Sequence, residues 1–200
     1  FPGEECCLRF NPDVVAGENA KVQTGGEKTK FGIALTDIDK VLEIVTKHRI
    51  KVVGVHEHTG SGISDPAKMV QSARNLLGVA TRRNFKHLKF VDLGGGFKIP
   101  YRPEEKRAPV NDLGREILAL LSEHERRESF EHAPLSLCLE PGKWLVGEAG
   151  VLLVTVNTVK HNRKRVIVGV NSGFNHLIRP AMYHAYHHIR NLSAMDRKSK

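Results

Sequence analysis

The sequence predicts an α/β protein: part of a (β/α)8, TIM-like barrel that leads into the start of a β domain. Short, almost continuously apolar segments alternate with amphipathic segments over residues 1–147, a pattern typical of a parallel sheet covered by helices. Over residues 148–200 the apolar segments are longer and no helix separates them. Four strand–helix units are too few to close an eight-stranded barrel, so only part of one is expected.

Local spacing predicts the elements of the barrel region. Apolar residues recur at helical intervals over 36–49 after a Thr/Asp start that suits an N-cap, and a proline lies near the first turn of the helix at 65–83. Strands are assigned to apolar runs bounded by turn-forming residues. The predicted order is strand 6–12, helix 36–49, strand 50–58, helix 65–83, strand 88–96, helix 111–126 and strand 135–142.

Beyond the barrel region the pattern indicates β structure. The runs "VLLVTVNTVK" (151–160) and "RVIVGVNS" (165–172) are joined through the basic stretch "HNRKR" (161–165). They predict two strands of a hairpin in a mainly β region. We therefore expect a domain boundary near Gly147.

Composition excludes several classes of partner. The net charge is +9, but it is scattered, with local excess at 161–165 and 196–200, and only 6% of residues are aromatic, so no nucleic acid is expected. The apolar runs are too short to cross a bilayer, so no membrane is expected either. Cys6, Cys7 and Cys138 form an odd set without CxxC spacing, which favours a reducing compartment and a cytoplasmic location.

The strand ends carry the candidate site. They read "RFNP", "HEHTGSG", "GGGF" and "EPGK", and ligands bind at the carboxyl ends of parallel strands. The backbone N–H groups of 56–62 and Gly94–Gly96 could hold a phosphate, with Ser61 adding a hydroxyl. Tight βα turns would explain the same glycines, and this alternative stays open. Neither run matches GxGxxG, so a Rossmann fold is not favoured.

Two histidines, His56 and His58, lie two residues apart on a predicted strand and therefore face the same side. No obvious third ligand lies nearby in the sequence, so no metal is predicted. His58, nearest the strand end, is better placed to lie against a ring. A hydrogen-bonded structural histidine is the alternative.

Glu140, Arg179 and Tyr183 are candidates of a second kind. The carboxylate of Glu140 follows an apolar strand and could pair with a cationic ligand group, although a surface glutamate would have the same pattern. Arg179 and Tyr183 are four residues apart. The planar guanidinium of Arg179 suits a carboxylate, and Tyr183 offers a hydroxyl. Spacing alone does not separate this from a helix start with a surface arginine.

Together these segments resemble one family. The motifs "LRFNP", "KFGI", "GVHEHTGSG", "VDLGGGFKIPY", "EPGK", "GEAGVLLVTV" and "NSGFNHLIRPAMYHAYHHI" occur in the order found in diaminopimelate decarboxylases. These enzymes belong to the alanine-racemase-like class, known as fold type III, that uses pyridoxal 5'-phosphate (PLP). The "FNHLIRPAMY" block favours this family over the ornithine and arginine decarboxylases. The resemblance covers nearly the whole chain.

The resemblance implies a (β/α)8 barrel followed by a β domain, in a homodimer with shared active sites. Residues 1–147 would be the C-terminal half of the PLP-binding barrel, and residues 148–200 would start the β domain and carry a substrate-binding segment. The implied activity is decarboxylation of meso-2,6-diaminopimelate to L-lysine and CO2 in lysine biosynthesis.

The resemblance also implies roles for individual residues. His58 would stack on the pyridine ring, and Glu140 would pair with the pyridine nitrogen and so favour its protonated, electron-withdrawing form. The remaining implied roles are contacts to the cofactor by Arg9, Ser61, Gly62, Gly94, Gly95, Gly96, Pro141, Gly142 and Lys143, and contacts to the amino-acid substrate by Lys143, Arg179 and Tyr183.

The sequence departs from the family pattern at two residues, and some family motifs lie outside it. Lys143 stands where many members have arginine, and Asn171 replaces the usual aspartate. No lysine matches the family's Schiff-base position, which would lie before Phe1, and the cysteine and tyrosine motifs that complete the partner's site would lie beyond Lys200. Because the chain also starts without methionine, we expect an internal fragment that is inactive and poorly soluble alone.

Two rival functions remain open. One is a decarboxylase of another basic or diamino acid, which the "IRPAMY" block disfavours. The other is a non-catalytic PLP-binding module, against which Arg179 and the β region argue.

Overall fold

The computed structural model describes residues 3–130 and 132–195. Its larger sheet has five parallel strands in the spatial order β2-β1-β3-β4-β5. These strands are β1 (Glu5–Asn11), β2 (Ile33–Ala34), β3 (Lys51–His56), β4 (Phe90–Gly95) and β5 (Ser136–Glu140). The predicted parallel α/β sheet is confirmed. The two-residue β2 was not predicted, because two residues carry no periodicity. The basic stretch at 196–200 lies outside the described residues.

The helices of this region follow the strands. They are α1 (Ile38–Lys47), α2 (Pro66–Val79), α3 (Val110–Arg127) and the short α4 (Gly142–Val146), with 3-10 turns at Ala20–Val22 and Leu35–Asp37. Asp65 caps α2 by accepting from the backbone N–H of Ala67. Asp37 of the predicted Thr/Asp start occupies the N-cap position of α1, but its side chain makes no capping bond and instead pairs with Lys40.

The hydrophobic core lies between the sheet and its helices. Alternate residues of the strands, such as Phe10, Val55 and Val91, are at most 1% exposed, and Leu76 of α2 is fully buried against this face. His56 and Asp92, which alternate with them towards the strand ends, point to the opposite face and are half-buried. The helix-covered face thus stabilises the fold and leaves the other face for polar groups.

The chain divides into two compact units, one of Phe1–Ile99 with Lys106–Gly147 and one of Pro100–Glu105 with Glu148–Lys200. The second unit contains an antiparallel hairpin, a one-and-a-half-turn helix and a 3-10 turn at Leu192–Ala194. The hairpin strands are β6 (Val156–Asn162) and β7 (Arg165–Val170), and the helix is α5 (Arg179–Tyr183).

The predicted hairpin forms, but its first strand begins later than expected. Val156 pairs with Val170, the last residue of β7, so the first strand begins at Val156 and not at Val151. Asn171, which follows β7, is hydrogen-bonded to Thr155 at this end of the hairpin. Its Oδ1 accepts from the Thr155 N–H at 2.8 Å, and its own N–H donates to the Thr155 carbonyl at 3.0 Å. An aspartate could accept the same bond, so the departure at Asn171 preserves this contact.

Among the described residues, no helix has the length and apolar character needed to cross a membrane.

Candidate functional site

Strand register brings the polar strand ends of the first unit together. Arg9 of β1 lies opposite His56 of β3, His56 lies opposite Asp92 of β4, and Gly95 lies opposite Glu140 of β5. Because all these strands are parallel, their carboxyl ends meet at one edge of the sheet. Four predicted strand endings therefore form one cluster.

The carboxylate of Glu140 lies between two histidines. Its Oε2 is 3.6 Å from Nε2 of His56 and 3.9 Å from Nδ1 of His58, and the Glu140 side chain is 53% exposed. Nε2 of His56 is buried and has no hydrogen-bond partner among the described residues. An exposed carboxylate at a strand end can accept a bond from a cationic group of a ligand.

A hydrogen bond holds His58 to the three consecutive glycines Gly94–Gly96, called here the glycine triplet. The backbone N–H of Gly95 donates to Nδ1 of His58 at 3.2 Å. Burial, followed by the positive charge of Arg9, lowers the pKa of His58, while the charge of Glu140 opposes this shift. Because Nδ1 accepts a bond, the neutral ring carries its proton on Nε2. His58 is thus a neutral imidazole of defined orientation at the strand edge.

The backbone packing explains why Gly94–Gly96 are glycines. A Cβ on Gly95 would lie 2.0 Å from the carbonyl oxygen of Glu140, and one on Gly96 would lie 2.0 Å from that of Gly60. Gly94 has φ +62, and its Cβ would lie 2.5 Å from the Glu57 carbonyl oxygen. Neighbouring strand ends therefore approach too closely for any side chain. The alternative of tight structural turns accounts for the missing side chains without a ligand.

The donors at the glycine-rich loops still suit an anion. Within residues 3–130 and 132–195, the backbone N–H of Gly62 has no backbone acceptor. Gly62 has φ +73, and a Cβ there would lie 2.5 Å from Oε2 of Glu18. Ser61 adjoins this position and accepts from the Glu18 N–H through its carbonyl at 2.9 Å. An N–H group without a backbone acceptor suits a phosphate oxygen, which accepts such bonds.

Lys143 and its neighbours follow β5. Pro141 is the N-cap residue of α4, and Gly142 and Lys143 form the start of that helix. Nζ of Lys143 lies 3.5 Å from Oε1 of Glu18, and both side chains are about one quarter exposed. Glu18 was not predicted to take part. An acidic residue in a long loop gives no periodic signal, and only the fold brings it to Lys143.

Arg9 supplies positive charge to the cluster. Its guanidinium lies 5.3 Å from the ring centroid of Phe31, within the "KFGI" motif. Its positive charge adds to burial in lowering the pKa of His58, and it opposes the burial that raises the pKa of Glu57. Arg9 therefore acts on the site through its electric field.

Sequence reasoning missed a buried carboxyl network behind the site. Glu57 is 2% exposed, and its Oε2 accepts from Oγ1 of Thr59 at 2.7 Å, while Thr59 Oγ1 lies 2.7 Å from Oγ of Ser72. Burial raises the pKa of Glu57 to about 7, although the hydrogen bonds oppose it. The available signal was a lone acidic residue that alternation places on the helix-covered face.

A possible set of metal ligands also became visible only in the structure. Ligand atoms of His56, Asp92 and Glu140 lie within 4.8 Å of one another. Sequence reasoning found no third ligand beside His56 and His58, because Asp92 and Glu140 are distant in sequence. One oxygen of Asp92 is already engaged, since it accepts from the Gly94 N–H at 2.9 Å.

Arg179 and Tyr183 are the first and last residues of α5 in the second unit. The guanidinium carbon of Arg179 lies 4.2 Å from the ring centroid of Tyr101, and its Nη1 lies 3.1 Å from Nε2 of His187. Tyr101 and His187 were not predicted as partners. Tyr183 is half-buried.

The comparison with protein families decides the assignment. Residues 1–147 match the family described as pyridoxal-dependent decarboxylase, pyridoxal binding domain. The chain belongs to this family. The predicted family resemblance and the predicted cofactor, pyridoxal phosphate, are thereby confirmed, and the residues at the strand edge fit it: N–H donors for a phosphate and an exposed carboxylate for a ring nitrogen.

Individual relatives agree with the family match. The chain is 37% identical over 190 residues to diaminopimelate decarboxylase from Methanothermobacter thermautotrophicus, covering 94% of this chain and 44% of the relative. It is 36% identical over 205 residues to diaminopimelate decarboxylase from Escherichia coli K12, covering 98% of this chain and 46% of the relative. The chain therefore spans somewhat less than half the length of these curated relatives.

Solved structures show the same likeness. A crystal structure of a diaminopimelate decarboxylase superposes with a TM-score of 0.84 at 35% identity, covering 94% of this chain and 43% of that one. The diaminopimelate decarboxylase from M. jannaschii in co-complex with L-lysine gives a TM-score of 0.77 at 30% identity, with 94% and 43% covered. The partial α/β barrel predicted from the sequence is thus confirmed.

Proposed function

We propose that the protein is a diaminopimelate decarboxylase, a carboxy-lyase that converts meso-2,6-diaminopimelate to L-lysine and CO2 in lysine biosynthesis. The observation that carries the proposal is the exposed carboxylate of Glu140, which lies 3.6 Å from His56 and 3.9 Å from His58 at the sheet edge of a pyridoxal-binding domain.

The cofactor would act as a sink for the electron pair that remains when the bond to the departing carboxyl group breaks. Glu140 would pair with its ring nitrogen and hold a proton there, because a carboxylate stabilises an adjacent cation. His58 would lie against the ring as a neutral imidazole. The phosphate would be held by Ser61, Gly62, Gly94, Gly95 and Gly96. Pro141, Gly142 and Lys143 would lie beside the phosphate, and Arg9 would contact the cofactor.

Arg179 and Tyr183 would bind the substrate's carboxylate and its distal amino-acid end, and Lys143 would add a cation for a carboxylate. Diaminopimelate carries two carboxylates and two ammonium groups, so cationic and hydroxyl side chains suit its recognition. The diaminopimelate decarboxylases of M. jannaschii and Helicobacter pylori were crystallised with L-lysine, which supports an amino-acid ligand.

We further propose a homodimer with shared active sites and a cytoplasmic location. The relatives' greater length leaves room for residues that complete the site. Cys6, Cys7 and Cys138 are all free thiols in the structure, which suits a reducing compartment.

The test uses the full-length gene product with added PLP. It should release CO2 from meso-diaminopimelate and form L-lysine, and it should release far less CO2 from L-lysine, L-ornithine or L-arginine. Preference for one of those three amino acids would establish a decarboxylase of another basic amino acid. Bound PLP without CO2 release from any of them would establish a non-catalytic PLP-binding module instead.

A further inference from the structure

Three side chains of the second unit contact one another around Arg179. Its guanidinium carbon is 4.2 Å from the Tyr101 ring centroid, and its Nη1 is 3.1 Å from Nε2 of His187. The rings of Tyr101 and His187 meet edge-to-face, with centroids 5.5 Å apart and planes at 72°. Each member of this triad therefore contacts the other two.

The chemistry of the triad assigns a direction to each contact. An arginine side chain donates and never accepts, so Nε2 of His187 accepts from Nη1 and His187 is neutral in this arrangement. The Tyr101 ring presents its face to the positive charge. One N–H of the guanidinium is used by His187, and a guanidinium is a planar group with five N–H donors whose geometry matches a carboxylate.

A second pair of contacts joins the same two segments. The guanidinium carbon of Arg102 lies 4.2 Å from the Tyr186 ring centroid, and the Tyr186 hydroxyl lies 3.2 Å from Nδ1 of His188. Two successive residues of Pro100–Glu105 thus contact the segment that follows α5. This pairing keeps Tyr101 in register with Arg179.

We propose that Tyr101 and His187 are positioning residues that hold the guanidinium of Arg179 in place for a substrate carboxylate. The proposal rests on the carboxylate-binding role of Arg179 in the proposed function. A free arginine side chain must lose rotamer freedom when it binds a ligand, and contacts made beforehand remove that cost from binding. Tyr101 and His187 therefore act on affinity through Arg179 and not on the chemical step.

Substitutions in the full-length holoenzyme test the proposal. Tyr101→Leu and His187→Leu should each raise KM for diaminopimelate about tenfold while kcat changes less than about twofold, because ground-state binding is lost. Tyr101→Phe keeps the ring face and His187→Gln keeps an acceptor, so both should stay within about threefold of the original KM. His161→Leu is the control, since His161 is an exposed residue of β6 outside these contacts.

The effect must also depend on Arg179. In an Arg179→Ala background, the leucine substitutions should change KM less than about twofold, because the group they position is gone. Unchanged KM in the single variants, or a tenfold rise that persists without Arg179, would overturn the proposal. If a leucine variant fails to bind PLP, His187→Asn supplies the same measurement, because its shorter amide places the acceptor out of position.

Calorimetric titration with L-lysine separates this inference from the proposed function. A protein that releases no CO2 from diaminopimelate but binds L-lysine more weakly after His187→Leu would retain the positioning role and lose the proposed activity. Binding of L-lysine that is absent, or equal in both proteins, would overturn the positioning role.

Discussion

The backbone N–H of Gly95 donates a hydrogen bond to Nδ1 of His58, with 3.2 Å between the two nitrogens. This bond joins the loop after β3 to the glycine triplet at the end of β4. It also keeps Nδ1 of His58 as an acceptor, so the orientation of the imidazole depends on the position of one glycine. A small displacement of Gly95 should therefore change the orientation of the His58 ring at the cofactor site.

Gly95→Ala should weaken PLP binding and destabilise the fold. Its new Cβ would lie 2.0 Å from the Glu140 carbonyl oxygen, and relief of such a clash should cost about 1–3 kcal/mol of the free energy of unfolding. We expect reduced PLP absorbance and a lower thermal midpoint. Gly114→Ala in α3 is the control, because a Cβ there has nothing within 4 Å. Equal PLP binding in both variants would contradict the role of Gly95.

Glu140→Gln should lower kcat and leave PLP bound. Removal of the carboxylate beside the ring nitrogen would weaken the preference for the protonated ring, and loss of one such electrostatic contact costs on the order of 10²-fold in rate. Steady-state kinetics with meso-diaminopimelate, together with the cofactor spectrum, measure both effects. Glu116→Gln, an exposed position on α3, should have no effect. A full rate in Glu140→Gln would exclude the proposed pairing.

Glu57 should make stability depend on pH. Burial raises its pKa in the folded protein from the usual 4.5 to about 7, so the folded state holds its proton at pH values where the unfolded state has lost it. The stabilising effect is therefore complete below pH 4.5 and is lost as pH rises through 7.

The expected loss from Glu57 is about 3 kcal/mol at most, since each unit of pKa difference corresponds to 1.36 kcal/mol. Denaturant unfolding between pH 5 and pH 8 measures it. Glu57→Gln, which does not titrate, should show a flatter profile over this range. Parallel profiles for both proteins would show that Glu57 does not titrate there.

Gly54→Ala should destabilise the sheet through its neighbour on β4. The ring of Phe90 lies across Gly54, and a Cβ there would be 2.1 Å from Cζ of that ring. We expect a loss of about 1–3 kcal/mol in the free energy of unfolding. The double variant Gly54→Ala, Phe90→Ala should lose less than the sum of the single variants, because the clash is gone. Strict additivity would show that the two positions do not interact.

Much of the first unit could be predicted from local pattern. The strands that became β1, β3, β4 and β5 and the three long helices were expected within a few residues, because apolar spacing reports which face of an element is buried. The short helix α4 and the two-residue β2 were missed, since elements of five residues or fewer carry too little periodicity. The late start of β6 was missed because pairing with β7, rather than β propensity, determines where that strand begins.

The site was predicted in part. Glu140, His58 and Gly94–Gly96 were expected at strand ends, where a parallel sheet gathers its ligand-binding groups. The sequence did not reveal that neighbouring backbone carbonyls exclude side chains from the triplet. Nor did it reveal the pair of Glu18 with Lys143, which depends on a loop with no regular spacing.

By itself, the sequence determined the parallel α/β class, the polar strand ends and the family, because alternation, helical spacing and motif order are local properties of the chain. The tertiary structure decided which of these residues meet. Strand register placed His56 and Asp92 beside Glu140, and the packing of the second unit placed Tyr101 and His187 against Arg179. Such contacts join residues far apart in the chain, and only the closure of long loops around a common core selects them.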